Sequence, residues 1–292
     1  MIKIGDIEVH RIEEVMLAEP ITYLLGFNRE SFDENLDWLV PHYYTPATET
    51  FPTSVHSWLI KTPTNTILVD TCGGNGKNRP ASPRFHLLNT PYLDRIKVVG
   101  ITPDKIDTVV LTHLHIDHVG WNTRRDGGKW VPTFPNAQYV MSKIERDAWD
   151  PARGAKDRPE NFNLPFVDSV QPILDAGLAR LVDGSETLFE GIDLMLIPGH
   201  APGMIALRVR SRGEEALFAG DIAHQPIQIA QPDWSTKYCS DPKLAAATRR
   251  RILNYCADTG CLLLPVHFGR PYCGRIARRG NGFAFQPHDQ EP

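Results

Sequence analysis

The sequence has little of what would mark a stapled, membrane-bound or nucleic-acid-binding protein. Its five cysteines, Cys72, Cys239, Cys256, Cys261 and Cys273, are odd in number, scattered, and form no Cys-x-x-Cys pair. Such a set fits reduced thiols better than a disulfide framework. No apolar run approaches the length of a membrane span, and Met1-Ile2-Lys3-Ile4-Gly5-Asp6 lacks the uninterrupted apolar core of a signal peptide. A soluble, cytoplasmic protein with no membrane partner is therefore expected. Strong charge of either sign is also missing: the net charge is −4, with acidic and basic residues mixed along the chain. This argues against nucleic acid as a partner, and the basic stretches at Arg249-Arg250-Arg251 and Arg275–Arg279 read as solvated faces.

What the sequence does have is a concentration of metal donors. There are eleven histidines in all, and His113, His115 and His118 fall within six positions together with Asp117. The apolar run Thr108-Val109-Val110-Leu111 precedes them and reads as a strand buried on both faces. If the chain stays extended, side chains at i and i+2 point the same way, so His113 and His115 can grip one cation. Asp117 and His118 can then turn toward a second. Three further apolar runs end in donors: Leu194–Ile197 before Pro198-Gly199-His200, Ala216–Ala219 before Gly220-Asp221, and Leu262–Val266 before His267. In open α/β sheets, ligands collect beyond the strand ends, so four such ends can converge on one site.

The order His-x-His-x-Asp-His, Gly-His, Gly-Asp and a late His resembles the metallo-β-lactamase superfamily, over about residues 70–268. The Gly-Trp-Asn-Thr after His118 and the donor spacing look closest to its lactonase and methyl parathion hydrolase branch. The resemblance implies a four-layer αβ/βα sandwich with a dinuclear metal site at one edge of the sheets. It puts His113, His115 and His200 on one metal and Asp117, His118 and His267 on the other, with Asp221 bridging. Asp70, at the end of the strand Thr66–Asp70, is implied to orient a ligand loop from behind. Met204 stands where many members have His. His224 stands where some lactonases have a Tyr that positions the substrate carbonyl, so that part of their mechanism is not supported here.

Because the donors run from 113 to 267, the whole chain, 1–292, reads as a single domain. Residues 17–53 read as an aromatic-rich loop that caps the core, with Phe27 and Trp38 as candidates for a substrate pocket. Gly73-Gly74-Asn75-Gly76 lacks a phosphate-loop ending and reads as a turn beside the site, and His56 as an ordinary strand residue. Thr102-Pro103-Asp104 looks like a helix start, and Lys143–Trp149 a short helix. The polar, proline-rich stretch 150–172 reads as an insertion near the site that tunes substrate choice. A helix should run from a cap at Asp241 to a stop at Gly260, burying Leu244, Thr248, Ile252 and Tyr255.

Histidine and carboxylate donors suit two Zn²⁺ ions, and Fe, Mn or Co as well. Two ions roughly 3.5–4 Å apart can share and acidify a water, giving a bridging hydroxide for attack on an ester. The expected activity is hydrolysis of a small-molecule ester, foremost a lactone of the N-acyl-homoserine lactone kind, with Asp117 and His224 moving protons or contacting substrate. Aryl esters or organophosphate triesters are the alternative substrates, and an iron-dependent oxidoreductase is the rival of another class. A homodimer is compatible with the sequence.

Overall fold

The computed structural model describes residues 1–288. Two seven-stranded sheets form its centre. The first runs, in spatial order, through Ile2–Ile4, Ile7–Pro20, Thr50–Lys61, Thr66–Val69, Thr108–Val110, Gln138–Ser142 and Ala179–Val182. It is antiparallel up to Thr66–Val69 and parallel beyond. The second runs through Thr187–Phe189, Ile192–Leu196, Ile205–Ser211, Glu214–Phe218, Leu262–Leu264, Gly274–Arg279 and Gly282–Pro287. Its one parallel pair, Glu214–Phe218 with Leu262–Leu264, is joined by the helix Pro242–Thr259.

Alternation along the strands explains the layering. Ile60, Ile67, Val69, Val110 and Val140 of the first sheet meet Leu194, Leu207, Phe218 and Leu264 of the second in one core. Their strand neighbours Leu59, Leu68, Val109, Tyr139 and Met141 point the other way, onto Tyr92 and Ile96 of the helix Tyr92–Val98 and onto Phe166, Val170 and Ile173. The outer face of the second sheet carries Ala206, Leu217 and Leu263, covered by Ile252, Leu253 and Cys256 of the long helix. The result is the four-layer sandwich, and it explains why these strands read as continuous apolar runs.

Several elements differ from expectation for identifiable reasons. Residues 17–53 are not all loop: the opening strand continues to Pro20, the next begins at Thr50, and two short helices, Arg29–Asp33 and Leu36–Leu39, lie between. Tyr23, Phe32, Tyr43, Tyr44 and Phe51 do cap the core there. Thr102 starts only the single turn Pro103–Lys105 and makes no side-chain cap bond. The stretch after 150 is largely helical, Glu160–Pro165 followed by a wider π-type turn Phe166–Val170 and then Gln171–Asp175. The widening follows Pro165, which has no N–H to donate and whose ring crowds the preceding turn. The long helix is capped as expected, Asp241 Oδ1 accepting from the amides of Lys243 and Leu244. Its buried stripe is rotated, however: Leu244 is exposed and Tyr255 only half-buried, while Ala245, Arg249, Leu253 and Cys256 join Thr248 and Ile252 inside. Arg249 can sit there because its guanidinium donates to the carbonyls of Ile222, Pro232 and Trp234. Among the described residues, no helix is long and apolar enough to cross a membrane.

Candidate metal centre

Four strands, Thr108–Val110, Ile192–Leu196, Glu214–Phe218 and Leu262–Leu264, stop just short of the donors, at the same edge of the two sheets. His113 and His115 do fall in one donor group, on a loop rather than in the sheet: the strand ends at Val110 and the chain turns at residues 116–118. The loop is fixed from behind. Asp70 accepts from the backbone amide of Thr112 (2.8 Å) and from its hydroxyl (2.8 Å), and Thr71 donates its amide to the carbonyl of His118 (2.8 Å). Gly220 lets the Asp221 loop lie against Thr112: its φ is +47°, and a Cβ there would sit 2.8 Å from the Thr112 hydroxyl oxygen.

The donor atoms fall into two main groups with Asp221 between them. His113, His115, His200 and Asp221 present one ligand atom each within 4.8 Å of one another, as do Asp117, His118 and His267, and a third, overlapping set joins Asp221, His224 and His267. The two oxygens of Asp221 divide between the first two. Oδ2 lies 3.2 Å from His200 Nε2 and 3.7 Å from His113 Nε2, whereas Oδ1 lies 3.3 Å from His118 Nε2 and 3.2 Å from His267 Nε2. His115 Nδ1 is 2.9 Å from His200 Nε2, and Asp117 reaches 3.7 Å from His267 and 3.8 Å from His118.

In four of the five rings the far nitrogen is engaged, which decides the atom each offers. His118 Nδ1 donates to Asp70 (2.9 Å) and His267 Nδ1 to the carbonyl of Ser54 (2.9 Å). His113 Nδ1 meets the Thr112 hydroxyl (3.1 Å), and His200 Nδ1 faces the Cys239 sulfur (3.5 Å). Burial pushes His115 down to about 4 and His113 and His200 well below the usual imidazole range, which favours the neutral form that a metal ligand needs. Burial opposes ionisation of Asp221, yet the imidazoles around it, His267 foremost, hold its carboxyl well below the usual range. His113 Nε2, His118 Nε2 and Asp221 Oδ1 are buried without a hydrogen-bond partner. Orphaned donors gathered this closely are costly unless a cation fills the space, so the residues fit a pair of metal ions.

Above the donors opens a cavity of about 290 Å³. Leu17, Phe85, Ile116, Trp149, Phe162 and Phe166 supply much of its wall, so residues 161–166 of the anticipated insertion do reach the site. The charged groups in the wall are paired. Arg79 makes a two-pronged bond to Asp168 (2.7 Å each), and Arg84 bonds Glu19 and the Tyr238 hydroxyl. Phe27 and Trp38 are not part of the wall. Phe27 packs on Phe32 and Trp234, and Trp38 packs on Tyr43 while donating to Asn35. The N-terminal region contributes Leu17, Glu19, Tyr23 and Thr53 instead, Leu17 and Glu19 standing two apart on one face of the strand Ile7–Pro20. His224 does lie in the site. Its Nε2 is 3.1 Å from Asp221 Oδ2, and its ring stacks on His267 with centroids 5.2 Å apart.

The sequence profile of the metallo-beta-lactamase superfamily matches residues 50–255. The chain belongs to the metallo-β-lactamase superfamily. Within that superfamily it is 33% identical over 243 residues to the N-acyl homoserine lactonase AiiB of Agrobacterium fabrum, covering 72% of this chain and 79% of the relative. It is 26% identical over 172 residues to the N-acyl homoserine lactonase AiiA of Bacillus thuringiensis subsp. kurstaki, covering 54% and 58%. Among solved structures, the dizinc quorum-quenching lactonase AidC, bound to its product N-hexanoyl-L-homoserine, superposes with a TM-score of 0.82 at 26% identity, over all of this chain and 97% of that one. The superfamily hydrolase AbOPH superposes at 0.84 with 22% identity, over the same shares, and shows the shared fold.

Proposed function

We propose that this metal-dependent hydrolase opens the ring ester of a small, uncharged lactone of the N-acyl-homoserine lactone kind, with two zinc ions. The observation that carries the reading is the division of the Asp221 oxygens between two donor groups on the floor of a largely apolar cavity. The naming of AiiB and AidC as lactonases supports the choice of substrate. His113, His115 and His200 would hold one ion, Asp117, His118 and His267 the other, and Asp221 both. When bound, such a pair supplies an acidified water and a Lewis acid for the scissile carbonyl. Asp117 is the partly exposed carboxylate of the set. Although burial opposes its ionisation, His118 and His267 hold it below the usual range, so it can accept a proton and return it to the leaving alkoxide. His224 lines the cavity beside Asp221 and is assigned to donate to a substrate oxygen. With Arg79 and Arg84 already paired, the wall offers them to no charged substituent, and its apolar side chains suit an acyl chain.

A hydrolysis screen of metal-quantified protein tests this, using acyl-homoserine lactones, other lactones, aryl esters and phosphotriesters. Lactones should be turned over fastest, with two zinc ions per chain. Faster turnover of phosphotriesters or aryl esters would replace the reading with the second one, which draws on His224 standing where some lactonases carry a phenol. An iron-rich, coloured preparation without hydrolytic activity would overturn both.

A further inference from the structure

We propose that Glu145 is a positioning residue that sets the spacing between the His113–His115 loop and the His200 loop, and with it the geometry of the three-histidine site. Glu145 lies in the first turn of the helix Lys143–Trp149, whose N-terminus is capped by Ser142. Its side chain is almost fully buried. One carboxylate oxygen accepts from the backbone amide of Gly203 (2.6 Å). The other accepts from the backbone amide of Leu114 (3.2 Å) and from the indole N–H of Trp149 (2.9 Å). Leu114 stands between His113 and His115, and Gly203 lies three residues past His200. One carboxylate therefore ties both donor loops to the same helix, across sequence separations of 31 and 58 residues.

Two contacts make the clamp tight. A Cβ on Gly203 would lie 2.6 Å from Ile144 Cβ and 2.8 Å from the Glu145 nitrogen, so the His200 loop packs directly on the start of this helix. Trp149, held by the same carboxylate, sets its ring perpendicular to His115 with centroids 4.9 Å apart. The hydrogen bonds the Glu145 side chain makes are all accepted ones, and this makes its chemistry specific. An ionised carboxylate satisfies three N–H donors, whereas the isosteric amide of glutamine must turn its own NH₂ toward one of them in either orientation.

The inference rests on the two-ion reading above, and the experiment separates the two. Full-length protein, stripped by chelator, is titrated with Zn²⁺ and with Co²⁺ against a competing chelator, for the native chain and for Glu145→Gln. The native chain should bind two ions. Glu145→Gln should bind one as before and the other roughly 10–100-fold more weakly, the range typical of residues that orient metal ligands. Its Co²⁺ absorption spectrum should change, kcat should fall with KM nearly constant, and the metal-free variant should exchange the Leu114 and Gly203 amide hydrogens faster. A native chain that binds fewer than two ions would refute the two-ion reading. A native chain with two ions and a Glu145→Gln variant with unchanged ion affinities, whatever its thermal stability, would overturn the role of Glu145. If Glu145→Gln does not fold, Glu145→Asp serves, because it keeps the charge but is one methylene too short to reach both loops. Native-like affinity for both ions in that variant would equally overturn the proposal.

Discussion

The floor of the cavity is made by loops that leave strand ends, and His118 and His267 are tied at the back by buried partners, Asp70 and the Ser54 carbonyl. The walls come largely from segments between strands, residues 79–85 and 161–166 among them, with Leu17, Glu19 and Thr53 from strands, and are held by the Arg79–Asp168 and Arg84–Glu19 ion pairs and by aromatic packing. Phe162, at the rim, is exposed. The contrast separates chemistry from selectivity: apart from Trp149, whose ring meets His115, the wall can be rebuilt around the same floor, since its two anchoring ion pairs touch none of the donors.

Substitutions should sort by this division. Asp221→Ala strips both donor groups of their shared oxygen atoms and should lose bound metal together with roughly 10³-fold or more of turnover, the scale of a principal stabilising group, as elemental analysis and rate measurement would show. Asp70→Asn leaves all seven donors in place but weakens the hold on Thr112 and His118. It should cost about 10–100-fold in ion affinity by chelator competition, with KM barely changed. Arg79→Met acts on the wall alone. It leaves Asp168 with only Lys77 as a charged partner, and should raise KM about tenfold, equivalent to about 1.4 kcal/mol, at native metal content. A fall in metal content in Arg79→Met would break the separation of floor from wall.

The smallest effect concerns pH. Burial pushes Lys77 down to about 7, outweighing the pull of Asp168. The folded chain thus gives up this proton near neutrality, whereas an unfolded lysine keeps it to about pH 10.4. Between those limits the unfolded state binds more protons, so this group makes stability rise with pH from 7 upward. Denaturant titrations at pH 7 and pH 9 should show that rise in the native chain and a flatter response in Lys77→Met, with kcat of the metal-loaded enzyme alike in both.

The same contrast governs what could be read in advance. The donors were legible because a strand buried on both faces leaves an uninterrupted apolar run, and the polar residue that ends such a run is conspicuous. The hold on the loop that carries His113 and His115 was not legible, because Asp70 and Glu145, which bond its backbone, lie 43 and 32 positions away in sequence from His113 and carry no local signal. The walls were harder still. Phe27 and Trp38 cannot be told from Tyr23 by composition, since an aromatic ring suits a core and a pocket equally, and only packing leaves the first two against the core's edge while Tyr23, itself in the core, also borders the cavity. Helical periodicity misplaced Leu244 and Tyr255 because it has no term for an arginine buried among carbonyls, as Arg249 is.

The seam between Ser54 and His267 has a consequence for the order of assembly. The two residues bond through the Ser54 amide to the His267 carbonyl and through the His267 ring back to the Ser54 carbonyl, over 213 positions of chain. During synthesis the early sheet can form while this partner does not yet exist. The second ion's nest is therefore complete only once a late segment has returned to an early strand.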